Sequence, residues 1–381
     1  MTWMLYKVAA DETLPVIDNS SAAVVCNIDS LNTGKVKCSG TAPIDTDTEV
    51  IIQDYVVDTS TGAMSEIHDI LHGVVMKYTE LTKGTTTNTY EYDISEMAAT
   101  LDYYRVHTTD ATPSYTVNIA GSTTILAAVN ICLRNLEWTV GAKHDGSSDT
   151  IGSAIQLIDM KVIKGIYKFV KELGATDMDA PSYLWFDSDA KTIQWGSYRT
   201  DRRAAIDFKK GVYYGKEQYK TIKFQVPGVK VYGSGKTYVG QYPPVFTSPK
   251  FALYQIDDAT SNEECLKYAT RIYNDYTVDA KERIQFKLRP NQTKPGGTYI
   301  LEGDLIRIDS ETITNDVNGK PTSGYVITDM TYSPKEVQVG TITTMQTIFG
   351  QLGDRLRVIE GGTGGPVNQN WGGATQIVGG T

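Results

Sequence analysis

A short glycine-rich stretch that ends in lysine and threonine is the first segment whose residue types suggest chemistry. Gly233-Ser234-Gly235-Lys236-Thr237 has the composition of the end of a phosphate-binding loop, in which backbone N–H groups at a helix N-terminus hold phosphate oxygens. The first glycine of such a loop is replaced by Lys230, and the following segment, Tyr238 to Pro244, cannot open a helix. We therefore predict no nucleotide site and no cofactor.

Two histidines four residues apart form a second candidate. His68 and His72 have the spacing that places two zinc ligands on one face of a helix. The glutamate that metalloprotease helices carry beside the first histidine is absent, and the chain has only two other histidines, His107 and His144. The segment from Ile67 to Val75 also has the composition of a strand. We therefore predict no metal site.

Two aspartates could serve as the carboxylate pair of a glycosidase. Asp187 and Asp189 lie two residues apart between two apolar runs, where aspartates commonly form hairpin turns. The sequence has no Gly-x-Ser-x-Gly motif, and no cysteine lies in a recognisable nucleophile context. The position of the two aspartates favours a turn. Because the sequence also lacks these catalytic motifs, we predict that the protein is not an enzyme.

The four cysteines are too few for a disulfide framework. Cys26 and Cys38 flank a predicted hairpin turn at Asn32 to Gly34 and could pair across it, but buried free thiols are the favoured interpretation. Cys132 and Cys265 fall in predicted helices, where we expect them to pack in the core.

Composition indicates a soluble globular chain rich in β structure. The 381 residues allow two or three domains. Tyrosine is abundant (24) and phenylalanine scarce (8), which favours strands with half-exposed aromatic faces. The net charge of -9 argues against a surface that grips nucleic acid. No apolar run reaches the length of a membrane helix, and the first residues, Met1 to Lys7, do not resemble a secretory signal.

Hydrophobic periodicity divides the chain into four parts. We predict an α+β fold, mainly β, with two small antiparallel β-barrel domains that flank an α+β insert. The predicted parts are an N-terminal barrel (1–112), the α+β domain (113–204), a second barrel (205–350) with an inserted helix (260–283), and a Gly-rich tail (351–381). Whether the two barrels are internal repeats is a hypothesis that a superposition of residues 20–110 on 205–350 would test.

Local signals predict specific elements inside these parts. In the insert, Ser122 or Thr123 caps a first helix that reaches Leu136, and a capping box, Ser153-x-x-Gln156, begins a second helix that ends at Gly174. In the second barrel, the capping box Ser261-x-x-Glu264 begins the inserted helix.

The segment from Gly297 to Gly350 predicts a three-stranded meander. Its first strand carries a tight turn at Glu302-Gly303-Asp304, with the two carboxylates in solvent.

The order of these parts resembles the baseplate hub (tail tip) proteins of tailed viruses and related contractile injection systems. The resemblance rests on short motifs: Tyr90-Glu91-Tyr92-Asp93, Trp138, Leu184-Trp185-Phe186-Asp187, Val231-Tyr232-Gly233, Glu302 to Ile308 and Gly324 to Thr328. It covers most of residues 20–350. The family often carries C-terminal enzymatic or adhesive domains that this sequence does not continue into, so we carry over no cell-wall hydrolase activity.

The resemblance implies a homotrimeric ring of pseudo-sixfold symmetry in a virion tail, assembled in the host cytoplasm. Implied partners are a tail tube protein, distal tail or baseplate proteins and a spike or tip protein, and DNA could pass through the lumen without specific binding. The implied subunit-interface residues are Tyr325, Val326, Ile327 and Thr328 in the meander and Gly361, Gly362, Gly364 and Gly365 in the tail. No membrane span is implied.

Two functions of other classes remain open. One is a receptor- or glycan-binding β protein whose exposed tyrosines stack on sugars. The other is a tail-associated hydrolase, which the missing nucleophile and metal motifs make the least favoured. Saturable binding to a host polysaccharide would support the first, and turnover of cell-wall substrate would support the second.

Overall fold

The structure is a computed structural model in which part of the chain is described. It describes residues 2–17, 21–28, 30–57, 64–83, 87–134, 136–142, 150–151, 154–173, 183–196, 206–208, 212–221, 227–245, 251–257, 259–277, 281–289, 299–308, 324–343, 370–371 and 374–378. Strands dominate, as the sequence predicted, and they form several mainly antiparallel sheets.

The N-terminal part contains seven strands followed by a short 3-10 helix at Met97–Tyr103. The strands are β1 (Thr2–Lys7), β2 (Glu12–Pro15), β3 (Ala23–Asn27), β4 (Thr33–Gly40), β5 (Glu49–Val57), β6 (Met64–Thr82) and β7 (Asn88–Glu96). Alternation of apolar and polar residues positions them, as in β4, where Gly34, Val36 and Cys38 face the core.

The α+β unit that follows differs in part from its prediction. It contains β8 (Thr116–Ile119), α1 (Ile125–Cys132), β9 (Thr139–Val140), β10 (Ile155–Ile158), α2 (Val162–Tyr167), a π-helix (Lys168–Leu173), β11 (Tyr183–Asp187) and β12 (Thr192–Gly196). The predicted hairpin is confirmed, because β11 and β12 pair antiparallel with Leu184 opposite Trp195.

The predicted capping box Ser153-x-x-Gln156 is wrong. Ile155–Ile158 is a strand that pairs with Thr116–Ile119, because alternate burial of Ile155 and Leu157 against the core overrides the helical pattern. The helix begins at Val162 instead. The first helix is capped by Thr124, whose hydroxyl accepts from the N–H of Ala127, rather than by Ser122 or Thr123.

The C-terminal part holds the remaining elements. They are β13 (Ile206–Phe208), β14 (Tyr213–Thr221), β15 (Val229–Tyr232), β16 (Val239–Tyr242), β17 (Ala252–Gln255), α3 (Asn262–Thr277), β18 (Lys281–Leu288), β19 (Leu305–Ile308), β20 (Tyr325–Tyr332), β21 (Val337–Thr343), β22 (Asn370–Trp371) and β23 (Ala374–Val378). The capping box of α3 is confirmed, since the N–H of Glu264 donates to Ser261 Oγ at 3.1 Å. The helix ends before 283 because β18 begins at Lys281.

One 13-stranded sheet contains strands from both ends of the chain. Its order is β14-β18-β21-β20-β3-β4-β7-β6-β5-β1-β2, with β19 beside β20 and β13 beside β19. The β19, β20 and β21 neighbours confirm the predicted meander. A single bridge between Val16 and Cys38 returns the end of β2 to β4. Within the described residues no sheet closes into a barrel, so the two predicted barrels are not confirmed.

The main hydrophobic core is shared by the two ends of the chain. Trp3 and Val36 from the N-terminal part belong to the same buried cluster as Phe286 and Ile327 from the C-terminal part. The α+β unit has its own core around α1 and α2, and β15 to β17 pack with α3 around a third. No described helix has the length and apolarity needed to cross a membrane.

Candidate functional site: the joint between the two ends of the chain

The joint between the two ends of the chain is an antiparallel pair of strands. β20 pairs with β3 so that Asp329 lies opposite Asn27 and Met330 opposite Cys26. Beyond the pair, the N–H of Ile28 donates to the carbonyl of Thr328 at 3.1 Å. This pairing makes the strands near the two ends of the chain neighbours in one sheet.

The predicted interface residues of the meander lie at this joint. Tyr325, Val326, Ile327 and Thr328 form the first half of β20, and they are only 7%, 2%, 0% and 1% exposed. Their side chains therefore pack inside the chain's own core. Their part in contacts between subunits stays a prediction, because a single chain does not test it.

The predicted tail interface is only partly within the described residues. Gly361, Gly362, Gly364 and Gly365 lie outside them. The last part of the tail contains β23, which pairs antiparallel with β17, and β22, which pairs with β23. Sequence reasoning missed these two strands because the high glycine content of the tail suggested no regular structure.

A buried polar network lies beside the joint. The side-chain amide of Asn32 donates to Oε1 of Glu302 at 3.2 Å, and its backbone N–H donates to Oε2 of Glu96 at 3.1 Å. Asn32 Oδ1 accepts from the N–H of Asn27 at 2.8 Å. One asparagine thus connects the N-terminal strands to the loop before β19. The sequence suggested only a turn residue at this position.

The carboxylates beside Gly303 are buried, so the prediction that they stay in solvent is wrong. Glu302 is 5% and Asp304 0% exposed. Gly303 has the predicted turn conformation, with φ of 83°. The turn is docked on β20, since the N–H of Gly303 donates to the carbonyl of Ile327 at 2.8 Å. Backbone donors such as Leu301 N–H, 2.7 Å from Asp304 Oδ2, offset the cost of burying a carboxylate.

A cavity of about 260 Å³ with both polar and apolar walls lies where three parts of the chain meet. Its walls come from β3, β6, the turn between β11 and β12, the loop before β19 and the end of β20. Its lining residues include Cys26, His68, His72, Phe186, Ser188 and Asp189.

The two histidines on β6 each contact a different part of the chain. The ring of His68 stacks on Tyr299, with centroids 3.5 Å apart and planes 5° from parallel. Nδ1 of His72 lies 2.5 Å from Oδ1 of Asp189, and its Nε2 lies 2.8 Å from Oε1 of Glu49. Both histidines are on a strand, so the helical zinc spacing does not apply. Among the described residues no cluster of ligands suits a metal ion.

The other candidate motifs have structural roles. Oδ1 of Asp187 accepts from the N–H of Ala190 at 3.0 Å, which is the geometry of an aspartate-stabilised turn. Ser234–Lys236 forms a single 3-10 turn followed by β16, and it opens no helix that could hold a phosphate.

The cysteines have the environment of core residues. All four are free and buried. Burial raises the pKa of Cys38 and of Cys132 to about 12, so neither thiol is ionised near neutral pH. All four thiols are free, so the predicted alternative of a Cys26–Cys38 disulfide is not found.

The fold is the one found in phage tail proteins, which agrees with the family that the sequence resembles. A 43 kDa tail protein of prophage MuSo2 from Shewanella oneidensis superposes with a TM-score of 0.56 over 90% of this chain and 98% of that protein, at 9% sequence identity. A tail protein from Neisseria meningitidis gives the same TM-score and identity, with 90% of this chain and 96% of that protein covered. No protein-family model and no curated sequence matches the chain. At such low identity the likeness establishes the fold alone.

Proposed function

We propose that the protein is a structural component of a phage tail or tail-like particle and that it acts at the tail tip or baseplate without catalysing a reaction. The observation that carries this proposal is the likeness to two tail proteins over nine-tenths of the chain. The buried joint between β3 and β20 supports it, because a chain whose two ends share one core suits a load-bearing element.

We further propose that three chains form a ring of pseudo-sixfold symmetry that joins a sixfold tail tube to a threefold tip or spike. This requires two similar modules per chain, since an internal repeat lets a trimer present six similar edges to its neighbour. The bridge from Val16 to Cys38, which returns β2 to β4, supports a barrel-like N-terminal module. The parts 1–112, 113–204, 205–350 and 351–381 are the proposed units of this arrangement.

The proposed trimeric ring can be tested by the mass of the purified protein and by images of the tail. Light scattering of the purified chain at rising concentration is expected to approach three times the monomer mass of 41.9 kDa. Averaged electron micrographs of purified tails are expected to show a threefold ring at the tip that an antibody against the chain decorates. A stable monomer together with undecorated tails would overturn the proposal.

A receptor- or glycan-binding role is the second candidate. The observation that favours it is the exposure of Tyr103, Tyr104 and Tyr115, which are 60%, 49% and 53% exposed. Tyrosine rings, which have an apolar face and a solvent-exposed hydroxyl, are common in binding surfaces. Saturable binding of the isolated chain to host-surface polysaccharide, lost when these tyrosines become alanine, would support this role instead.

A further inference from the structure

The β11–β12 hairpin is held in two different ways along its length. At its base, Tyr183 and Trp185 are 1% and 2% exposed and share a buried cluster with Ile28. The N–H of Leu184 also donates to the carbonyl of Ile28 at 3.1 Å. The base is therefore fixed in the core of the joint.

The tip of the hairpin lies at the cavity, and its residues Asp189 and Ala190 are exposed. Phe186, Ser188 and Asp189 line the cavity from this side, and the side chain of Asp189 is 74% exposed. The polar contact between the tip and β6 runs through His72. Cys26, whose thiol is buried, lines the same cavity from β3.

His72 is suited to hold this tip because it contacts carboxylates on both sides. Glu49 on β5 positions the ring through Nε2, at 2.8 Å, and leaves Nδ1 directed at Asp189. A histidine whose second nitrogen is held by a carboxylate has a defined ring orientation. The contact is thus built from β5, β6 and the hairpin turn together.

We propose that residues 187–190 form a flap over the cavity and that His72 is its latch. Opening breaks the contact between His72 and Asp189 while the base of the hairpin stays in the core. The flap gives the seam between the N-terminal sheet and the α+β unit a way to open without unfolding either part. This inference does not depend on the assembly proposed above.

Alkylation of Cys26 by iodoacetamide, followed for each cysteine by peptide mass spectrometry, tests the latch in the full-length protein. In His72→Phe and Asp189→Ala we expect Cys26 to react about five- to tenfold faster, the change typical of a lost charge-assisted hydrogen bond at a partly exposed site. Ser188→Ala is the matched control, because it lies on the same turn and lines the same cavity, and it is expected to react like the wild type.

The other three cysteines report global unfolding in the same experiment. Cys38, Cys132 and Cys265 are buried and do not line the cavity, and their rates are expected to stay unchanged. Hydrogen exchange at residues 187–190 is expected to rise with Cys26 reactivity. An unchanged Cys26 rate in both variants, or an equal rise at all four cysteines, would overturn the proposal.

Discussion

A lysine–glutamate ion pair and a histidine–aspartate contact both connect the α+β unit to the rest of the chain, and they differ in their access to water. Nζ of Lys168 lies 2.9 Å from Oε1 of Glu264 on α3, and the two side chains are 4% and 0% exposed. The pair of His72 and Asp189 lies at the surface, with side chains 15% and 74% exposed. Side-chain contacts of similar length therefore have different consequences. Breaking the buried pair leaves a charge without solvent, whereas water replaces the lost partner at the exposed pair.

The largest expected effect comes from removing one partner of the buried pair. Lys168→Ala leaves the carboxylate of Glu264 buried and is expected to lower the free energy of unfolding by about 3–5 kcal/mol. Denaturation in urea, monitored by tryptophan fluorescence, measures this. Lys191→Ala is the matched control, because Lys191 pairs with Glu137 at the surface of the same unit and its loss is expected to cost at most about 1 kcal/mol. Equal losses in the free energy of unfolding for the two variants would contradict the expected difference between a buried and an exposed ion pair.

A smaller loss is expected when the polar network at the joint is cut. Asn32→Ala removes the side-chain donor to Glu302 and the acceptor for Asn27 N–H, and we expect a cost of about 2–3 kcal/mol because a buried carboxylate loses a partner. Thermal unfolding of the variant measures this. Asn88→Ala, which removes a part-buried bond to Tyr90 on β7, is the comparison variant and is expected to cost less than about 1 kcal/mol.

Asp54 shows how burial changes the pKa of a carboxyl that, among the described residues, lacks the lysine partner Glu264 has. It is 8% exposed, its Oδ1 has no donor within the described part of the chain, and burial raises its pKa from 3.8 to about 6. Because the folded state binds more protons between these two values, stability falls as pH rises through that window. We expect Asp54→Asn to be more stable than the wild type at pH 8 by about 1–2 kcal/mol, after allowance for solvent screening. The difference is expected to vanish near pH 4, and a constant difference between pH 4 and pH 8 would contradict the interpretation.

The smallest effect on global stability is expected at the exposed pair. Asp189→Ala is expected to change the free energy of unfolding by no more than about 1 kcal/mol. Calorimetry of the variant checks this. A loss as large as that of Lys168→Ala would show that the hairpin tip belongs to the cooperative core, and the latch would then have no separate motion.

Local signals predicted those elements in which local preference and packing agree. Ser261 and Glu264 form a capping box whose partners lie within one turn, and the structure contains it. The hairpin of β11 and β12 follows from two apolar runs around Asp187 and Asp189, and the meander from three alternating runs. In each case the residues that decide the element are close in sequence.

Prediction was wrong where distant packing decided the outcome. Ile155 and Ile158 fit one face of a helix, yet Ile155–Ile158 is a strand, because β8 offers it a paired partner and Ile155 and Leu157 face the core. Glu302 and Asp304 look like solvent-exposed turn residues, and they are buried because β20 and Asn32 satisfy the turn. No local pattern around residue 32 indicates that its amide lies beside a carboxylate 270 positions later.

The sequence by itself determined the mainly β character, the absence of recognised catalytic motifs and the positions of the meander, the hairpin and α3. These follow from periodicity, capping and turn chemistry, which act over a few residues. Only the tertiary structure decided that β20 pairs with β3, that both ends of the chain share one core, and that a cavity lies between the parts. Such contacts depend on which surfaces remain available once each part has formed. Local sequence patterns therefore do not predict them.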